Sequence, residues 1–280
     1  MKRLKLVTLD ALDLEDAASF KHVGVFGDLR EVLVRDEYGF LVPTEGELAW
    51  DRALFLNLSF WEENGARDVL VSTELPADVM MHVAWHHLAQ RFLAPSPEAE
   101  LLSEAIASAF DLYLVGRVLG HAPDSTFLAT QVPQMGEVAE AAGLDEQGFE
   151  ALLGEVAADP DRAFEDLRAL LYGATTRLYP LTSAEDALDV LASYDEHRFA
   201  PLLHHYELST WVTKTRLTAL ASATTERGAG GASAKGASAQ SVHEALAAAP
   251  SAVDWLEREW VRRALSEGPR RRSAIEDVSR

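Results

Sequence analysis

His82 and His86 stand four residues apart in the run His82-Val83-Ala84-Trp85-His86-His87, with Glu104 and Asp111 downstream. The chain has no cysteine, so imidazole and carboxylate are its candidate metal donors, and thiolate sites, disulfides and cysteine nucleophiles are excluded. On a helix, residues four apart lie one above the other, so the two rings can share one ion. Glu104, Ser108, Asp111, Val115 and Val118 fall on one face of a second helical stretch. From Ala105 to Leu119 its only charged residues are Asp111 and Arg117. A carboxylate on so apolar a helix needs a partner. A cation held by His82 and His86 supplies one, while Arg91 or Arg117 would be the plain alternative. The candidate ligands are therefore His82, His86 and Glu104. Asp111 is the candidate base or orienting group, and His87 an alternative base.

Two elements must position these groups. Pro76 is placed for the first residue of a helix, where its missing N–H is not needed. Met81, Trp85, Leu88 and Phe92 then form one apolar stripe, with His82 and His86 beside it. Ala94-Pro95-Ser96-Pro97 ends this helix, and the next runs to about Gly120. A short strand over 68–72 leads in.

This arrangement resembles the gluzincin zinc metallopeptidases, which carry H-E-x-x-H on one helix and a third ligand, Glu, on the following helix, often in an E-A-I-like run. His82 and His86 match the two histidines. Glu104, within Ser103-Glu104-Ala105-Ile106-Ala107, matches the third ligand eighteen residues on (104 − 86 = 18). The resemblance spans roughly 70–119. It implies a divalent metal, zinc in preference to iron, and activation of water or a substrate oxygen at that ion. The family's general base follows the first histidine, and here that residue is Val83. The resemblance thus implies a metal-binding relative that is not an ordinary peptidase: a hydrolase-like enzyme with another base, or a pseudoenzyme.

A second group of ligand-type residues comprises Asp195, Glu196, His197, His204 and Glu207. Helical di-iron and di-manganese proteins gather carboxylates and histidines from several helices. An alternative function is therefore a non-haem iron oxygenase that joins the His82 cluster to His204, Glu207 or Glu196. A polar patch between helices is the plain reading of the same residues. A third reading is non-enzymatic: an acidic helical scaffold whose Trp255- and Trp260-bearing helices bind a protein partner.

Composition bounds these readings. The 280 residues carry a formal net charge of −20, which argues against nucleic acid or an anionic membrane as the main partner. Asp10, Asp13, Glu15 and Asp16 interrupt any apolar run behind the basic start, so no signal peptide is expected. No stretch has the length and apolarity of a membrane span. With the lack of cysteine, this fits a cytoplasmic protein.

The expected fold is mainly α, with a small N-terminal β element. Residues 1–45 read as a β or irregular arm, with β-prone runs at Val23-Gly24-Val25-Phe26 and Val32-Leu33-Val34 and a hairpin partner in Phe40-Leu41-Val42. Residues 46–222 read as a helical core domain. It starts with a helix to about Glu63 capped by Thr44, and continues with helices over 133–142, 145–158, 160–176, 183–194 and from Pro201 toward Leu220. Residues 223–241, rich in Gly, Ala, Ser and Thr, read as a flexible linker. Helices over 242–266 and a charged tail over 267–280 complete the chain.

Overall fold

The computed structural model describes residues 4–44, 68–122, 124–225 and 236–268. The fold is mainly α, as the periodicity predicts. The expected helix over 45–63 lies outside the described residues.

Two small sheets carry the strands. β1 (Leu4–Thr8) pairs antiparallel with β3 (Gly39–Pro43), from Leu4 opposite Pro43 to Thr8 opposite Gly39. β2 (Asp13–Glu15) pairs in parallel with β4 (Glu74–Pro76). Of the expected strand over 68–72, Val69 forms a single parallel bridge to Leu41. The β-prone runs between the strands are instead α1 (Phe26–Arg35) and the turns leading into it. Leu29, Val32 and Leu33 recur at helical spacing and are buried, so burial of that face overrides local β preference. Phe40-Leu41-Val42 accordingly finds its partner at the start of the chain and not in Val32–Val34.

α2 (Ala77–Phe92) follows directly, with Pro76 at the residue before it and not within it. α3 (Pro97–Val118) is the central helix. Ser96 caps it by accepting from the Ala99 N–H, and Pro97 fills the first position. α3 is apolar nearly all round because neighbours cover nearly all of it. α2, α4 (Thr126–Ala141), α5 (Glu146–Ala158), α6 (Pro160–Leu178), α8 (Leu208–Thr225) and α9 (Ala239–Ala248) all touch it. α3 and α5 approach closely at Gly116, where an added Cβ would stand 2.6 Å from the Val156 carbonyl oxygen. Only glycine lets the helices meet there without a shift.

Polar caps start several other helices. Ser125, Asp145, Asp159 and Ser238 each accept a backbone N–H at the N-terminus of α4, α5, α6 and α9, and Ser183 does so for α7 (Ala184–Ala192). α4 begins seven residues before Pro133 (133 − 126 = 7), which lies inside it. Its true start is set by Asp16, whose carboxylate accepts from Ser125 Oγ at 2.6 Å and from the Phe127 N–H at 3.2 Å.

The chain from Pro201 does not form one helix. Ala200–Tyr206 is a 3-10 turn, Glu207 adopts a left-handed backbone (φ 47°), and α8 begins after it. α8 continues to Thr225. Ala237 then pairs with the end of α2 at Leu93 before α9. α10 (Ala252–Leu256), a π turn over Glu257–Arg262 and α11 (Arg263–Glu267) form the last helical run. Trp260 is buried there and stacks with Phe92 of α2. The N-terminal segment contributes Phe20, Leu29, Leu33 and Phe40 to the same core as α2 and α3. No helix among the described residues is long and apolar enough to cross a membrane.

Candidate metal centre

Three of the residues singled out by spacing meet at the α2–α3 interface. One donor atom each of His82, His86 and Glu104 lies within 4.8 Å of the others. His82 Nε2 is 3.2 Å from His86 Nε2. Glu104 Oε2 is 3.3 Å from His86 Nε2, and its Oε1 is 3.9 Å from His82 Nε2. Two donors on one tetrahedral zinc at ~2.0–2.1 Å stand ~3.3 Å apart. Two of the three separations already match that edge.

The rings are also aimed. His82 donates from Nδ1 to Asp111 Oδ2 at 3.0 Å, and His86 Nδ1 shares a hydrogen bond with Ser103 Oγ at 2.8 Å. A hydrogen bond at Nδ1 fixes the tautomer and leaves Nε2 as the donor atom facing the site. Both orienting groups come from α3, the helix that carries Glu104. The side chains of His82, His86 and Glu104 keep 18%, 16% and 24% of their surface exposed, so the site borders solvent. Two imidazoles and one carboxylate grouped in this way suit a divalent cation. Among the described residues, no other group of three His, Asp or Glu side chains converges this way. Compared with protein-family models, curated proteins and solved structures, the chain matches none.

The electrostatics divide the two imidazoles. Burial disfavours the charged form of both. At His82 the Asp111 carboxylate, through its charge and its hydrogen bond, and then Glu104 and Asp78, more than offset burial and raise the pKa to about 9. At His86 burial prevails over Glu104, cationic His82 stands beside it, and the pKa falls to about 4. Without an ion, His82 is thus the cation and donates through Nε2 to neutral His86. Burial opposes ionisation of Glu104, but the imidazoles and then Lys214 outweigh it, and its carboxyl titrates below the usual range. Asp78 lies one turn before His82, and burial with the nearby Asp111 charge raises it to about 6.

A pH dependence follows for the metal-free protein. The raised His82 contributes stability that is full below its unfolded value of 6.5 and is lost as pH rises toward about 9. The depressed His86 contributes stability that is full above 6.5 and is lost as pH falls toward about 4. In chelator, unfolding free energy relative to a His82→Ala/His86→Ala variant should peak near pH 6.5 and decline on both sides. Urea titrations from about pH 4 to 9 check this, and a flat difference would contradict it.

The remaining candidates fall elsewhere. His87 is not at the cluster. Its Nε2 meets Asp36 Oδ2 at 2.6 Å, beside Arg91, in a network that braces α2 against α1. Arg91 is spent on Asp36, Glu267 and the Gly268 carbonyl, and Arg117 lies over Tyr113, so neither neutralises Glu104. The second group is not gathered. His197 Nδ1 accepts from the Phe199 N–H, and the left-handed turn at Glu207 parts that residue from the run bearing His204. Val83 is buried in the core.

Some functional neighbours were missed in the sequence. Asp78 completes an Asp78-His82-His86 ladder at steps of four, a spacing that was readable. Ser103 adjoins Glu104, yet nothing in its type marked it as the partner of His86. Lys214, on α8, acts on Glu104 across a distance in sequence that no local pattern reveals.

Proposed function

We propose that this chain binds one divalent metal ion through His82, His86 and Glu104, with zinc the preferred ion, and that it is a distant relative of the gluzincin metallopeptidases without their usual base. One observation carries the reading: both imidazoles are held at Nδ1 by α3 while their Nε2 atoms converge with Glu104. An ion there would supply Lewis acidity to a bound water or substrate oxygen. Asp111 holds His82 in its donor tautomer and keeps its basicity high. Val83 offers no proton acceptor, and ordinary peptide hydrolysis is not part of the proposal.

For the iron-oxygenase reading, Glu207 of the second residue group lines a cavity beside Asp111, but among the described residues none of that group joins His82, His86 and Glu104 in one cluster. Of the two tryptophans behind the scaffold reading, Trp260 is spent on the body of the protein, while Trp255 stays half-buried.

Metal analysis of purified protein tests the proposal. Wild type should hold close to one zinc per chain, and His82→Ala/His86→Ala only traces. Added zinc at about a hundred times its Kd should stabilise wild type by ~2.7 kcal/mol and leave the double variant unchanged. Equal trace metal in both, with no zinc-dependent stabilisation, ends the idea.

A further inference from the structure

A cavity of about 220 Å³ opens beside Asp111, between α3, α4, the end of the Ala200–Tyr206 turn and the start of α8. None of the three candidate ligands lines it. It is smaller than the ~300–1,000 Å³ that holds drug-sized ligands, so it suits a small one. Its apolar wall includes Leu112, Val115 and Met135, and Trp211 adds an indole. The polar lining includes Asp111, Glu207, His205 and Tyr206, and among the described residues no lysine or arginine takes part.

The hydrogen-bonding capacity left in this lining is specific. Asp111 uses Oδ2 for His82, and its Oδ1 has no hydrogen bond among the described residues. Tyr206 is only 8% exposed, and its hydroxyl has no hydrogen-bond partner among the described residues. The hydroxyl oxygen itself is not sealed from solvent, so it is open to a ligand. Burial pushes the His205 imidazole below its usual pKa, so it adds an uncharged ring. The left-handed turn sets Glu207 at the rim, where only a 3.5 Å approach of Thr210 Oγ1 engages its carboxylate.

Two carboxylates, a spare phenol and an indole, in a lining without lysine or arginine among the described residues, favour a donor-rich cation, although the His82 imidazolium already offsets part of the Asp111 charge through Oδ2. An ammonium offers three N–H donors and no acceptor, and an indole face attracts it further. A carboxylate or phosphate ligand would meet like charge instead. We infer that this cavity binds a small primary amine whose ammonium sits between Asp111, Glu207 and Tyr206 and whose apolar body packs on Trp211 and Met135. The site lies beyond the proposed metal centre and does not need the ion.

Three probes of similar size separate charge from shape: phenethylammonium, 2-phenylethanol and phenylacetate. Each is titrated into the full chain in chelator, with binding read from protein NMR shifts. Phenethylammonium should bind saturably, and the alcohol and phenylacetate at least about tenfold more weakly. Glu207→Gln, at an exposed position, should weaken phenethylammonium by about threefold or more. Trp211→Ala, checked for native circular dichroism, should do the same. No saturable binding, equal binding of the three probes, or indifference to Glu207→Gln overturns the inference. Because chelator is present throughout, failure of the metal reading would leave this result intact, and the reverse also holds.

Discussion

Asp111→Asn should weaken divalent-ion binding by about one to two orders of magnitude while leaving one site per chain. The amide keeps the size of the carboxylate and can still accept from His82 Nδ1, so the ring need not turn. What disappears is the negative charge 3.0 Å from that nitrogen, the strongest influence holding His82 basic. A less basic imidazole is a poorer donor. Competition with a chromophoric chelator measures the change. An unaltered Kd would mean that Asp111 neither orients nor tunes the ligand. Stoichiometry falling to zero would instead point to Asp111 as a direct ligand.

Trp85→Ala should destabilise the fold by about 3–5 kcal/mol, whereas Trp85→Phe should cost well under half of that. Trp85 is wholly buried on α2 between the two histidines and packs edge-on against Phe110 of α3, ring centroids 5.2 Å apart. Truncation empties the centre of the interface that brings His82 and His86 to Glu104. The indole Nε1, by contrast, has no hydrogen-bond partner among the described residues, so a phenyl ring loses area but no bond. Denaturant titrations in chelator give both numbers. A Phe variant as unstable as the Ala variant would show that the nitrogen has a partner after all, and the packing argument would fail.

The two ligand-bearing helices were legible because their signals agree. Periodicity and the Pro95–Pro97 break mark the same boundaries, and four-residue spacing places His82 above His86 whatever surrounds them. Convergence of Glu104 on that pair was legible as a need for a partner, since apolar neighbours leave a carboxylate few choices. Other features depended on distant residues. The start of α4 is set by Asp16, far earlier in the chain, and Pro133 was a misleading local cue. Valine-rich runs at 23–34 became turn and helix because one face had a core to join. His87 looked like part of the site because it adjoins His86, but one step along a helix turns a side chain by about 100°, and it met Asp36. The break at Glu207 has no local marker, since glycine or asparagine would be the expected residue in a left-handed turn.

Apart from the His82–His86 hydrogen bond within α2, the polar bonds of the centre run between α2 and α3: Asp111 to His82, Ser103 to His86, and Glu104 toward both. Two smooth greasy rods have many nearly equivalent ways to lie side by side. A slip of α3 by one residue would slide its groups ~1.5 Å and swing them by about 100°, parting all of these partners together. The seam of imidazole and acid therefore serves as a keyway, selecting one alignment of the bundle from many, and an ion seated there would turn the key.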